Sequence, residues 1–329
     1  MRIAVSLGLA ILITAGVWKN ASADSSGILF PAQQYGEWGY MDVSGTMVIE
    51  AKYKFAGTFS EGLAAVAADD KFGYIDREGK KAIKPQFYSA SNFSDGLALV
   101  TLSVTGAPCF IDKTGKVVIQ SKFDEAKPFV EGMARIRVDK KYGFIDKSGR
   151  VVIEPKYDYA SDFSSGLAAV GLNKNSRKAQ YIDKTGKVVI NGFSNCGRFS
   201  EGLASVEYDG CTGFIDNMGN MVILPIYDGA GPFSGGYAAV LEEKRWGYID
   251  KNGRMAVGVQ FDSAEGFSSG LALVSKKGKF GFVGPKGLQA VAIDLDDATS
   301  FVDGLAKARI GSKWYYIDKY GKHVFEFTK

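Results

Sequence analysis

A period near 34 residues runs through the chain and limits what it can fold into. The segment Tyr74-Ile75-Asp76-Arg77-Glu78-Gly79-Lys80 returns as Phe110 to Lys116, Phe144 to Arg150, Tyr181 to Lys187, Phe214 to Asn220, Tyr248 to Arg254 and Tyr316 to Lys322. Tyr40 to Gly45 is an earlier copy, and Phe282 to Gly287 is a degenerate one with Gly284 in place of Asp. The nine units centre on Asp42, Asp76, Asp112, Asp146, Asp183, Asp216, Asp250, Gly284 and Asp318, at spacings of 33–37 residues. A second mark, Phe-x-x-Gly-[Leu/Met/Tyr]-Ala, begins at Phe59, Phe93, Phe129, Phe163, Phe199, Phe233, Phe267 and Phe301, in phase with the first. Two marks in phase require an array of one repeated supersecondary unit.

Each unit reads as about three short strands. In residues 132–165, Met133 to Val138 alternates apolar and polar, the period of a half-buried strand. Tyr142 to Ile145 and Arg150 to Ile153 follow as two more strands, joined by Asp146-Lys147-Ser148-Gly149. Asp-x-x-Gly suits a type I turn closed by a left-handed glycine. Pro155-Lys156-Tyr157-Asp158 is expected to leave the sheet, because proline cannot donate to a ladder. The expected fold is all-β: nine tandem three-stranded units in a superhelical or propeller-like array. Gly27-Ile28-Leu29-Phe30 sits where Gly62 to Ala65 sits one unit later. That offset is consistent with terminal strands sharing a unit in a closed ring, and equally with an open superhelix.

The surrounding residues resemble the WG-repeat family of bacterial proteins. The namesake dipeptide stands at Trp38-Gly39 and Trp246-Gly247 and is softened to Phe72-Gly73, Tyr142-Gly143 and Phe280-Gly281. It is lost at Pro108-Cys109, Ala179-Gln180 and Trp314-Tyr315. The resemblance covers residues 24–329 almost entirely and implies all-β repeat modules. It transfers no catalytic residue.

The first residues predict an address. Met1-Arg2 precedes an uncharged apolar run, Ile3 to Trp18, followed by Ala21-Ser22-Ala23, a small-x-small cleavage site. This is the pattern of a signal peptide over residues 1–23, and the run falls just short of the ~17–25 residues that span a bilayer. A secreted or periplasmic chain with no membrane span after cleavage is expected. Loss of Arg2 and Lys19 lowers the formal charge from +4 to +2, too little excess to point to nucleic acid.

Composition narrows the chemistry. The chain has 41 Gly and 42 aromatic residues but one His and three Cys. No nucleophile motif, phosphate loop or Cys/His pairing is present, and the recurrent Asp has a full account in the turn. His323 and the cluster Asp294, Asp296 and Asp297 lack the ligand spacing of a metal site. No metal, cofactor or catalytic residue is expected. Cys196 and Cys211 form a candidate disulfide in an oxidising compartment, unless all three cysteines are small buried hydrophobes. Trp38, Trp246 and Trp314 are candidates for sugar stacking or for core packing. Asn92-Phe93-Ser94 fits a glycosylation sequon whose Phe93 is a repeat core position.

Charge also recurs. The hairpin turns carry Lys113, Lys116, Lys147, Arg150, Lys184 and Lys187, while the Phe-x-x-Gly corners carry Glu61, Asp95, Glu131, Glu201 and Asp303. Stacked in register, these predict a basic edge and a separate acidic one. The basic edge either binds an anionic envelope polymer or an acidic protein, or keeps turns soluble. The functional expectation is a monomeric, non-enzymatic scaffold for a protein partner. The alternative is a module for carbohydrate or cell-wall polymer, and a glycan-acting enzyme comes last.

Overall fold

The computed structural model describes residues 27–120, 122–172 and 178–328. The apolar segment Ile3 to Trp18 and the cleavage site after Ala23 lie outside the described residues. Nine small antiparallel sheets follow one another along the chain, and a 3-10 turn at Pro285–Gly287 is the one helical element among the described residues. The sheets are the blades of a nine-bladed β-propeller. Blades 1 to 9 comprise residues 30–53, 55–87, 89–120, 125–157, 159–193, 195–227, 229–261, 263–295 and 297–326.

Blade 4 shows how sequence becomes sheet. Met133–Val138 and Lys141–Asp146 pair as a hairpin, and Val151–Tyr157 pairs on the far side of the second strand. Asp146 Oδ1 accepts the N–H groups of Ser148 (3.0 Å) and Arg150 (3.2 Å), and Gly149 closes the turn with φ +83°. Residues facing the neighbouring blades are apolar: Ala134, Ile136, Phe144, Ile145, Ile153 and Tyr157 are buried.

The expectation of three strands per unit needs correction. Eight sheets have four strands, the added one being a two-residue leading strand in most blades, such as Glu125–Ala126 or Tyr159–Ala160. Blade 1 has three among the described residues. The segment expected to leave the sheet does not. Pro155 lies inside the third strand, in a bulge where no ladder N–H is demanded, and Asp158 N–H already donates to Gly171 O of the next blade at 2.8 Å.

That bulge explains the glycine of the recurring aromatic-Gly dipeptide. Tyr142 pairs with Tyr157 and Phe144 with Ile153, so three residues of the third strand stand opposite Gly143 alone. A Cβ on Gly143 would lie 2.5 Å from Ile153 O and 2.7 Å from Pro155 N. The same three-against-one register occurs at Gly39, Gly73, Gly213, Gly247 and Gly281. The three blades without this glycine lack the wide bulge. Cys109 and Tyr315 pair one to one with Gln120 and Glu326, and Gln180 faces only Asn191 and Gly192.

Blades are joined by aromatic pairs. The hairpin aromatic of one blade packs on the corner phenylalanine of the next, as in Tyr74–Phe93 (4.9 Å) and Phe144–Phe163 (4.9 Å). Burying each ring contributes on the order of 2–3 kcal/mol. The corner serine adds a hydrogen bond across the same boundary: Ser94 Oγ donates to Phe129 O at 2.6 Å, and Ser164 Oγ to Phe199 O at 2.6 Å. Val130 and Val302 stand at that position without a hydroxyl.

The array closes, which removes the open superhelix. Thr328 N–H donates to Gln33 O (3.3 Å), and Tyr316 Oη donates to Pro31 O (3.1 Å). Blades 9 and 1 share a core of Phe30, Ala32, Met41, Leu305, Tyr316 and Phe325. Gly45 of the first turn packs on Val324 of the last blade, as Gly149 packs on Ile119 and Gly219 on Ile190.

Candidate functional site

Three regions present chemistry: the turn-and-corner face, the outer strands of blades 5 to 7, and the seam between blades 9 and 1. In each blade the corner and the Asp-x-x-Gly turn lie at the same end, because the intervening hairpin runs out and back. The expected separate basic and acidic edges are therefore one face, and adjacent blades interlock there. Lys113 Nζ donates to Glu61 O at 2.9 Å and sits 3.2 Å from its carboxylate. Lys184 pairs with Glu131 at 3.3 Å, and Lys251 with Glu201 at 3.1 Å. Glu131 also accepts the N–H groups of Ser165 (2.7 Å) and Gly166 (2.9 Å). Burial pushes the Glu131 carboxyl up, but these donors and Lys184 outweigh it and hold it below the ordinary value. Arg150 turns back on Asp146 of its own turn (3.1 Å), while Lys116, Lys147 and Lys187 are exposed. Two of the six predicted rim cations are thus tied to corner carboxylates, and one more to its own turn.

The disulfide expectation is also corrected. Cys109, Cys196 and Cys211 are all free. Cys196 pairs opposite Val206 and Cys211 opposite Tyr208, so one whole strand separates them. Two strand spacings of about 4.8 Å exceed the ~7 Å Cα reach of a disulfide. Burial pushes the Cys196 thiol up to about 12. No group of three or more His, Cys, Asp or Glu side chains suited to a metal ion occurs among the described residues. His323 stacks on Tyr315 at 4.2 Å, and Asp296 is engaged by Lys279 (2.5 Å) and Gly311 N–H (2.6 Å). Asn92, the sequon residue, donates its amide to Thr58 Oγ1 at 2.9 Å.

The outer strand of blade 6 departs from its eight counterparts. Met221–Tyr227 reads apolar almost throughout, and Leu224 and Ile226 are 70% and 64% exposed. The same register positions carry Lys84 and Gln86 in blade 2, Glu154 and Lys156 in blade 4, and Glu50 and Lys52 in blade 1. Met218 and Val222 of blade 6, Val189 of blade 5 and Met255 of blade 7 are further exposed apolar side chains. The signal was present in the sequence as a break in alternation at Met221-Val222-Ile223-Leu224. It becomes visible only when each blade is aligned by register.

At the seam lies a cavity of about 670 Å³, lined chiefly by Gln33, Trp38, Lys307, Trp314, Phe327 and Thr328. Closure brings Trp38 and Trp314 into it together, whereas Trp246 packs against the core between blades 7 and 8. Lys307 Nζ lies over the rings of Phe327 (5.1 Å), Trp38 (5.3 Å) and Tyr316 (5.5 Å). Burial lowers its pKa from the ordinary lysine value. The equivalent residues elsewhere are Pro31, Ala65, Leu99, Ala169, Ser205, Ala239 and Leu273, with one other cation, Arg135, which Asp162 neutralises at 3.3 Å.

Comparison with known proteins agrees with this architecture. The family model described as WG containing repeat matches residues 38–72, 72–102, 110–142, 142–175, 181–210, 213–246, 246–280 and 280–314. No protein of curated description matches the chain. Among solved structures, the crystal structure of a eukaryotic initiation factor is 12% identical, with a TM-score of 0.64 over 92% of this chain and 96% of that one. AztD of Citrobacter koseri is 12% identical, with a TM-score of 0.44 over 92% and 93% of the two chains. At these identities the first likeness is one of fold alone.

Proposed function

We propose that this chain, which belongs to the WG containing repeat family, is a secreted or periplasmic, non-enzymatic scaffold that holds a protein partner on the outer strands of blades 5 to 7. The observation that carries the reading is the exposure of Leu224 and Ile226 where blades 1, 2 and 4 place polar residues. Exposed apolar side chains gain free energy when a partner removes them from water, at roughly 25 cal/mol per Å². The bulge and Pro225 break the strand's outer edge, so a partner docks on side chains rather than extending the sheet. The reading is non-enzymatic because Asp42, Asp76, Asp112, Asp146, Asp183, Asp216, Asp250 and Asp318 all cap their own turns.

The test transplants blade 2 residues into blade 6. The native chain and a Leu224→Lys, Ile226→Gln variant serve as baits in cross-linking from an envelope extract. A defined polypeptide bound by the native chain and lost from the variant is expected. Equal capture by both overturns the assignment, and capture abolished by added glycan transfers the function to carbohydrate or cell-wall polymer. Light scattering on the same samples reads the expected monomer against self-association through this surface.

A further inference from the structure

We infer that the seam between blades 9 and 1 is a binding site for a small planar, mostly apolar molecule bearing one carboxylate. It is independent of the outer-strand surface. Its volume of about 670 Å³ falls within the ~300–1,000 Å³ of small-molecule sites. Its walls supply flat apolar area, with Trp38 and Phe327 meeting edge to face at 6.3 Å and Trp314 of blade 9 in the same lining. A planar ligand body fits such walls by ring stacking.

Lys307 selects the charge. It occupies a position that is small or apolar in most blades, and a cation held there loses hydration. Arg135, its one cationic counterpart, has Asp162 beside it. No ion pair joins Lys307 to a carboxylate among the described residues, and the three surrounding rings offset only part of the lost hydration. A ligand carboxylate supplies the missing counter-charge in a water-poor setting, where it counts for more than at the surface. Lys313 and Glu326, paired at 2.6 Å, line the same cavity and neutralise one another, so they leave Lys307 to decide the sign. Gln33, Thr299 and Thr328 are polar members of the same lining, and Thr299 Oγ1 accepts the Lys307 backbone N–H at 3.1 Å.

The test uses 2-naphthoate and its neutral analogue naphthalene-2-carboxamide, titrated calorimetrically into the native chain, Lys307→Met and Trp314→Ala. Saturable 2-naphthoate binding with at least tenfold preference over the amide is expected. Lys307→Met should abolish the preference with an unchanged circular dichroism spectrum, and Trp314→Ala should weaken both ligands. Absence of saturable 2-naphthoate binding, or an unchanged preference in Lys307→Met, overturns the inference. Glucuronate binding without naphthoate binding also overturns it, in favour of an acidic sugar. Leu224→Lys, Ile226→Gln should bind 2-naphthoate as the native chain does, so this site and the outer-strand surface fail separately.

Discussion

Thr328 donates its backbone N–H to Gln33 O at 3.3 Å, the bond that Lys54 makes to Ala67 O (2.9 Å) and Asp296 to Arg309 O (3.0 Å) at ordinary blade boundaries. The last residues of the chain thus take the place of a crossover segment and fasten blade 9 to blade 1. Phe327, which meets Tyr316 at 5.1 Å, fills the seam behind that bond. Ending the chain at Glu326 should lower unfolding stability by about 2–4 kcal/mol, the sum of one large apolar side chain and its backbone bonds. Urea titration checks this, and an unchanged midpoint would show that the ring holds without the clasp.

The wide bulge makes Gly143 and Gln180 opposite cases. Gly143→Ala places a methyl 2.5 Å from Ile153 O and should cost about 1–3 kcal/mol, in the range of core overpacking. Gln180→Ala, where the bulge is narrower, should change stability by less than ~0.5 kcal/mol. Thermal melts of the two variants read the contrast directly.

The corner serine contributes through one bond. Ser94→Ala removes the Oγ donor to Phe129 O and should cost about 1 kcal/mol, whereas Val130→Ala at the next corner breaks no such bond. Equal hydrogen-exchange protection at the blade 3–4 boundary in Ser94→Ala and the native chain would contradict this role.

The turn carboxylates set an acid limit. Hydroxyl donors hold Asp112 (Thr114), Asp146 (Ser148) and Asp183 (Thr185) below the ordinary Asp value, Asn220 does so for Asp216, and the Arg254 N–H for Asp250. A folded pKa below the unfolded one gives stability that is complete above the unfolded value near 3.8 and is lost as pH falls through the lowered values. Stability should therefore decline from about pH 5 downward. Replacing Asp112, Asp146 and Asp183 by Asn should flatten the urea midpoint between pH 5 and pH 2.5, and an unchanged slope would assign the acid loss to other groups.

Thiol labelling separates the three cysteines. Cys109 and Cys196 are buried and Cys211 is partly exposed. Burial raises both buried thiols, Cys196 to about 12, which suppresses their thiolates at neutral pH. A maleimide reagent should label Cys211 first, label Cys109 and Cys196 only on unfolding, and label nothing rapidly in Cys211→Ser. Two thiols protected even after unfolding, and freed by reductant, would restore the disulfide.

What the sequence by itself determined is local. The period, the Asp-x-x-Gly turns and the alternation of strands such as Met133–Val138 follow from turn chemistry and from side chains pointing to opposite faces. The recurring aromatics were legible as core for the same reason. The leading strand of Tyr159–Ala160 was not, because a two-residue pairing leaves no periodic pattern and Pro155 reads as a stop unless the bulge is known. Tertiary structure alone decided the rest. Closure is a sum of many small inter-blade rotations, to which no single repeat testifies. Stacking of each blade on the next folds basic turns against acidic corners that lie some 50 residues apart, as Lys113 and Glu61 do, and closure then joins the two ends of the chain. Closure also sets Trp38 beside Lys307 and Phe327, residues from opposite ends of the chain that share a cavity only because the ring returns to its start.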